Sequence, residues 1–272
     1  MSLTSSPPGS FRLTSGEVHT WCATLDAPAE TFAHLYAILT LDERDRSARF
    51  RFERDRLHFI VAHGVLRELL GCYLQTDPGR ISYVYNAFGK PHLSPEFGSR
   101  ITFNLSHSAG LALIAIAADA NVGVDLEYMR VQSDYAEIAR RFFSAAEVNQ
   151  LSALPNHLYA EAFFSCWTKK EAYLKACGEG LARPLDSFAV PLTIDCGNTP
   201  VDVYLSVDDI GPAKRWSFYT LQPASGYIGA LAIEGSGCRL TQRQWKHVSK
   251  NGRPRTAASG AAISTTRSRA PM

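Results

Sequence analysis

Residues 163–180 read FFSCWTKKEAYLKACGEG. The spacing predicts a helix that stops at Gly178 and Gly180, since glycine accepts the left-handed conformation found at helix C-termini. At about 100° per residue, Lys170, Glu171 and Lys175 fall on one side of that helix. Phe163, Phe164, Cys166, Ala172, Tyr173 and Cys177 spread over much of the rest, so the helix reads as largely buried. Charges on a buried helix need something to neutralise or hydrate them. An anionic ligand for the lysines and a cation for the glutamate would do so. The same residues also fit a solvated Glu171–Lys175 pair at i, i+4, worth about 0.2–0.5 kcal/mol.

Working outward, residues 133–143 and 144–153 read as helices that lead into the long one, which starts near residue 158. Ser144 and Glu147 have capping-box spacing, which gives Glu147 a structural role. After Gly180 the pattern turns to strands at 187–192, 201–207, 215–221 and 227–234, separated by Gly, Asp and Pro turns. Upstream lies NVGVDLEYM (121–129), where strand alternation puts Asp125 and Glu127 on one face. Two adjacent carboxylates repel, and burying both needs a cation between them. Hard oxygen donors suit Mg²⁺ better than zinc. On a wet sheet face the pair would need no cation.

Before that, ITFNL (101–105) is a strand, and Ser106, His107, Ser108 and Gly110 read as the loop into the apolar strand LALIAIA (111–117). The loop suits a plain turn or a phosphate cradle with a histidine donor. NAFGKPHL (86–93) is a turn that projects Lys90. A long helix spans about 54–74, and Arg44, Arg46, Arg49, Arg51, Arg54 and Arg56 crowd its approach with acids interleaved. These arginines form either a solvated face or a phosphate-binding surface near a helix start. A strand at 17–23 and a short helix at 29–39 precede them, and residues 1–15 read as a poorly ordered N-terminus.

The 272 residues, 46% of them hydrophobic, suffice for one large or two small domains with a real core. No apolar run approaches the roughly 20 residues of a membrane span, and the N-terminus lacks a secretory pattern. Six scattered cysteines without a CxxC pair fit reduced thiols in a cytoplasmic protein. Seven of the 28 basic residues fall from Thr241 onward with no acid among them, leaving 21 basic against 26 acidic residues before it. The net charge of +2 therefore hides an acidic body and a basic tail, and gives no indication of nucleic-acid binding. From about residue 249 the composition reads as a disordered tail.

The set FGKP (88–91), FNLSHS (103–108), VGVDLE (122–127) and FFSCWTKKEAYLK (163–175) resembles the phosphopantetheinyl transferases of the large, surfactin-synthetase-type class, over about residues 40–235. The resemblance implies an α+β fold of two similar α/β halves, 16–119 and 120–240, related by pseudo-two-fold symmetry, with the active site in the cleft between them. It implies transfer of the phosphopantetheine arm of coenzyme A to a serine of an apo carrier protein (acyl, peptidyl or aryl), with Mg²⁺, or Mn²⁺ in its place, as cofactor. The implied metal ligands are Asp125, Glu127 and Glu171. Lys175 would contact the phosphates and protonate the leaving group, and Glu171 or a metal-bound water would be the base. Ser106, His107, Lys90, Lys170, Arg46, Arg49 and Arg54 would hold coenzyme A, with Arg56 able to share the arginines' role. The best-known members place lysines in this basic region, and one such position here is Glu43. The class also implies a monomer, while the acidic body and the lack of a long apolar run give the expectation of neither nucleic acid nor membrane as partner.

Overall fold

The computed structural model describes residues 11–130, 134–180, 183–193, 199–205 and 213–246. The tail expected from residue 249 lies outside them. In chain order the elements are β1 (Glu17–Thr24), α1 (Ala29–Ala37), α2 (Leu41–Ala48), α3 (Glu53–Leu74), β2 (Tyr83–Tyr85), β3 (Pro91–Leu93), β4 (Ile101–Ser108) and β5 (Leu111–Ala118). There follow β6 (Val122–Tyr128), α4 (Tyr135–Phe142), α5 (Ala145–Ser152), α6 (Asn156–Cys177), β7 (Val201–Leu205), β8 (Lys214–Leu221), β9 (Tyr227–Glu234) and β10 (Arg239–Gln244). The class is α+β.

Two four-stranded sheets, ordered β10-β1-β5-β4 and β6-β9-β8-β7, stack face to face. Their alternating residues explain the stacking. Val18, Leu113, Ala115, Ala117, Val124, Leu126, Leu231 and Ile233 meet in a core between the sheets. The opposite face of the first sheet, with Trp21, Ile114 and Ile116, is covered by Val61, Val65 and Leu69 of α3. Ala230, Ala232 and Phe218 of the second sheet are covered by Phe163, Cys166, Ala172 and Tyr173 of α6. By length and apolarity alone α3 could cross a bilayer, but most of it is buried in this core. Full burial of a Val, Leu, Ile or Phe side chain contributes about 1.5–3 kcal/mol.

Two expectations need correction, and two elements were not expected. The segment 187–192, expected as a strand, is a short 3-10 turn at Leu185–Ser187 followed by irregular chain. Alternating hydrophobicity there serves to bury Phe188 and Val190 against the α6 core. Helix α2 was unforeseen, although Thr40 and Glu43 form a complete capping box at its start. The expected loose N-terminus is packed from Phe11 onward, with its ring 4.9 Å from that of Trp21. Strand β10 was also unforeseen. It leaves the second sheet and runs parallel to β1, with Glu17 opposite Arg239 and Cys22 opposite Gln244.

Two buried ion pairs tie the long helices down in matching ways. Glu43 of the Thr40 capping box accepts from Arg67 Nε of α3 at 2.6 Å. Arg67 also donates to the carbonyls of Pro78 and Ile81 at 2.9 Å each. Glu147 of the Ser144 capping box pairs with Lys170 of α6 at 2.8 Å, and Lys170 donates to the carbonyls of Leu185 and Phe188 at 2.7 and 2.6 Å. Burial alone would raise the Glu43 pKa, but the nearby His63 ring, hydrogen bonds from Arg67 and the Thr40 N–H and the Arg67 charge pull it down to about 2. A depressed carboxylate stabilises the fold above its unfolded value of 4.5 and loses that contribution as pH falls toward 2. Glu43→Gln should therefore be less stable than wild type in urea melts at pH 7, with the gap closing between pH 4.5 and 2. A gap that stays constant over that window would remove Glu43 as its source.

Candidate active site

Strands β4 and β6 run side by side where the two sheets meet, joined by side chains of β4. Asn104 Oδ1 accepts from the Val124 N–H at 2.9 Å. Ser106 Oγ donates to Asp125 Oδ1 at 2.9 Å. Ser108 Oγ donates to Glu127 Oε2 at 3.1 Å and accepts from the Tyr128 N–H at 3.2 Å. The polar residues Asn104, Ser106 and Ser108 recur every second position, so strand alternation aims all three at β6. Segment 106–108, expected as loop, is the end of β4, and the turn is confined to Ala109 and Gly110, both with positive φ.

Helix α6 closes the site from the other side. Lys175 Nζ donates to Asp125 Oδ1 at 2.6 Å and to Ser106 Oγ at 3.0 Å. Asp125 is buried, and its Oδ2 has no hydrogen-bond partner. Burial raises the pKa of Glu127, and the Asp125 charge adds to that rise against Ser108, Lys175 and Arg130. Burial likewise raises Glu171, reinforced by Asp125 and opposed by Lys175. Ser106, Asp125, Glu127, Glu171 and Lys175 thus act on one another across β4, β6 and α6.

His107 follows Ser106 on the opposite face of β4. Burial holds its pKa below the ordinary histidine value, and His63, Lys175 and His58 push it the same way against Asp55. These neighbours bring the first half of α3 to the site. His58, absent from the expected set, bonds Asp26 Oδ1 through Nε2 at 3.1 Å. Arg46, Arg49 and Arg54 are exposed at the α2–α3 corner. The Arg46 guanidinium lies over the Phe59 ring and Arg54 stands 3.6 Å from Asp55.

Two expected coenzyme A ligands have their ammonium groups engaged by the protein itself. Lys170 is fully buried, with its ammonium held by Glu147 and two carbonyls. It stands 100° from Glu171 around the helix, which turns it into the α6 core. Lys90 Nζ donates to the carbonyls of Ala176 at 2.7 Å and Val122 at 3.3 Å, and burial lowers its pKa to about 8. Glu43, at the position tied to family lysines, is the buried partner of Arg67.

Gly123 was also missed as a site residue. It shares the helix-facing side of β6 with Asp125 and Glu127, and a Cβ there would lie 2.0 Å from Ala172 O and 2.4 Å from Ala176 N. Only glycine lets α6 approach the carboxylates this closely.

Among the described residues, no group of three or more His, Cys, Asp or Glu side chains stands ready-made around a metal. The donor chemistry nevertheless fits a hard cation. Asp125 has a buried oxygen without a partner, and its charge works against ionisation of both Glu127 and Glu171.

Comparison with known proteins finds one family along most of the chain. Residues 23–120 match the family described as 4′-phosphopantetheinyl transferase, N-terminal, and residues 121–232 match the 4′-phosphopantetheinyl transferase superfamily. The chain is 39% identical over 231 residues to 4′-phosphopantetheinyl transferase HetI of Nostoc sp. (strain PCC 7120), covering 85% of this chain and 93% of the relative. It is 32% identical over 215 residues to 4′-phosphopantetheinyl transferase psf-1 of Bacillus pumilus, covering 76% and 89%. It is 26% identical over 193 residues to 4′-phosphopantetheinyl transferase Sfp of Bacillus subtilis (strain 168), covering 69% and 84%.

Proposed function

This chain belongs to the 4′-phosphopantetheinyl transferase superfamily and is a transferase, and from that premise we propose that it moves the phosphopantetheine arm of coenzyme A onto a serine of an apo carrier protein, releasing adenosine 3′,5′-bisphosphate. The observation that carries the reading is Asp125, buried between Ser106 and Lys175 with one carboxylate oxygen unpartnered. Asp125, Glu127 and Glu171 would hold Mg²⁺. A bound Mg²⁺ supplies a positive charge that offsets the charge on the diphosphate of coenzyme A.

The remaining steps belong to side chains of this protein. The carrier serine hydroxyl attacks the phosphorus next to the pantetheine arm, and the bond from that phosphorus to the bridging oxygen breaks. Glu171, on the helix face toward Asp125, accepts the serine proton. Lys175, one helical turn along, donates a proton to the departing nucleotide phosphate. His107 and Ser106 would hold the phosphates, and Arg46, Arg49 and Arg54 would meet the nucleotide's 3′-phosphate from the α2–α3 corner.

The halves 16–119 and 120–240 read as related units with the site at their junction. Support comes from the shared order of strand, two short helices and a 22-residue helix, and from the matching Glu43–Arg67 and Glu147–Lys170 pairs.

The test is the intact mass of an apo acyl carrier protein incubated with this protein, coenzyme A and Mg²⁺, beside an EDTA control. The expected result is a gain of one phosphopantetheine unit that EDTA abolishes. Asp125→Ala should lower kcat about 10²-fold or more, the scale for loss of a key electrostatic group. Mg²⁺ should raise the melting temperature of EDTA-treated wild type and leave that of Asp125→Ala unmoved. No mass gain on acyl, peptidyl and aryl carriers would overturn the reading, and an equal thermal shift in both proteins would overturn the metal assignment.

A further inference from the structure

Strand β10 belongs to the first sheet by pairing and to the second by chain connection. It follows β9 after the short crossing Gly235 to Cys238 and then lies parallel to β1. The chain therefore passes between the sheets twice, from β5 to β6 and from β9 to β10. β10 and β4 are the two edges of the first sheet, so the second crossing lies away from the seam of β4 and β6. RLTQRQ carries a single apolar residue, and burial alone does not hold such a strand. Its fastenings to the first sheet are polar and aromatic. Arg239 forms an ion pair with Glu17, and its N–H donates to Gly16 O at 2.7 Å. The Arg243 guanidinium lies over the rings of Phe11 and Trp21, 5.4 and 5.5 Å from their centres. Just past the strand, the Trp245 backbone N–H donates to Cys22 O at 2.9 Å and Trp245 Nε1 to Glu68 Oε2 of α3 at 3.0 Å. Toward the second sheet, Leu240 enters the core between the sheets, and the Tyr219 hydroxyl of β8 donates to Cys238 O at 2.5 Å.

We propose that β10 is a strap that fastens the second sheet to the far edge of the first and so keeps together the two sheets that share the active site. Ser106 and Ser108 stand on β4 of the first sheet, and their partners Asp125 and Glu127 stand on β6 of the second. These two strands share no backbone ladder and meet through the side chains of Asn104, Ser106 and Ser108. A seam held only by side chains opens when the sheets tilt about it, and a tie at the opposite edge prevents the tilt. The strap itself stands apart from the transfer reaction, whereas its effect on rate rests on the reaction proposed above. A misplacement of about 1 Å at the seam costs about 10²-fold in rate.

The test loosens the strap in the full chain and then locks it again. Trp245→Ala removes the ring and the bond to Glu68, and Trp245→Phe removes that bond alone. Amide hydrogen exchange at residues 17–22 should quicken about 10-fold or more in both, the scale for loss of one hydrogen bond to a charged group. Residues 104–108 and 124–127 at the seam should follow, while residues 160–168 inside α6 keep their protection. Gln244 lies opposite Cys22 on the same face of the paired strands. Gln244→Cys added to Trp245→Ala can therefore be oxidised to a bridge with the native thiol. The bridge should restore protection, and a thiol reductant should undo the restoration. In carrier loading, Trp245→Ala should lose about 10-fold or more in kcat, and the oxidised bridge should return it. Unchanged exchange at residues 17–22 in both variants would overturn the strap even if the wild type loads no carrier, so the two proposals fail separately. Quickened exchange at 17–22 with the seam still protected and loading at the wild-type rate would reduce β10 to a cover for the edge of β1, which also overturns the strap. If Trp245→Ala does not fold, Trp245→Phe with and without the bridge decides between the same outcomes.

Discussion

Lys170→Met is expected to cost about 3–5 kcal/mol of stability, the scale for removing one partner of a buried ion pair. The ammonium is wholly enclosed, and three oxygens depend on it: Glu147 Oε2 at 2.8 Å, Leu185 O at 2.7 Å and Phe188 O at 2.6 Å. Methionine fills nearly the same volume, so the loss would be electrostatic and not a cavity effect. Glu147 would keep the Ser144 and Val190 N–H bonds but hold a buried charge with no counter-ion. With total stabilities of about 5–15 kcal/mol, such a loss is a large fraction of the whole. The exposed pair Arg56–Glu53 is the natural comparison, and Arg56→Met should change stability by less than about 1 kcal/mol. Urea denaturation of both variants measures the difference. A loss below about 1 kcal/mol for Lys170→Met would mean that water reaches the pair. A raised KM for coenzyme A with unchanged stability would return Lys170 to the site.

That lysine shows where sequence reading runs out. Helical spacing places Lys170, Glu171 and Lys175 within 140° of arc, and each is a charge on an apolar helix. Whether a charge faces a ligand or the core depends on what covers it. Here the cover is the turn at Leu185–Ser187, some fifteen residues away and at the head of a segment that reads as a strand. The surroundings of Lys90 are hidden for the same reason, since its carbonyl partners Val122 and Ala176 are 32 and 86 residues distant. Local periodicity was enough for α3, α6, β5, β6 and β9, whose apolar faces span whole elements. The shared face of Asp125 and Glu127 followed from alternation alone. Strand β10 was illegible because RLTQRQ has no apolar alternation, and its place is set by backbone pairing to β1. Asn104, Ser106 and Ser108 did carry a period-two signal, but reading 106–108 as loop hid it.

Gly123→Ala should damage both stability and catalysis, although the added group is one methyl. Its Cβ would sit 2.0 Å from Ala172 O, 2.4 Å from Ala176 N and 3.0 Å from Ala176 Cα. All three are backbone atoms of α6, so no side-chain rotation can make room. Restoring even a 3.0 Å contact with Ala172 O requires a relative shift of 1.0 Å between strand and helix. Overpacking of this kind costs about 3 kcal/mol, at the upper end of its usual range. The shift also runs through the site, because Ala172 adjoins Glu171 and Ala176 adjoins Lys175. It would stretch the 2.6 Å contact between Lys175 and Asp125. A displacement of about 1 Å should lower kcat about 10²-fold. Melting temperature and single-turnover carrier loading together test this, and a variant close to wild type in both would mean that α6 does not lie so tightly on β6. The clue was present in VGVDLE. Alternation puts Gly123 on the face of Asp125 and Glu127, and a glycine inside a strand marks a close backbone approach. The carboxylates and the glycine are thus one requirement: the groups that would hold the cation can meet Glu171 and Lys175 only where the strand has no side chain to keep the helix away.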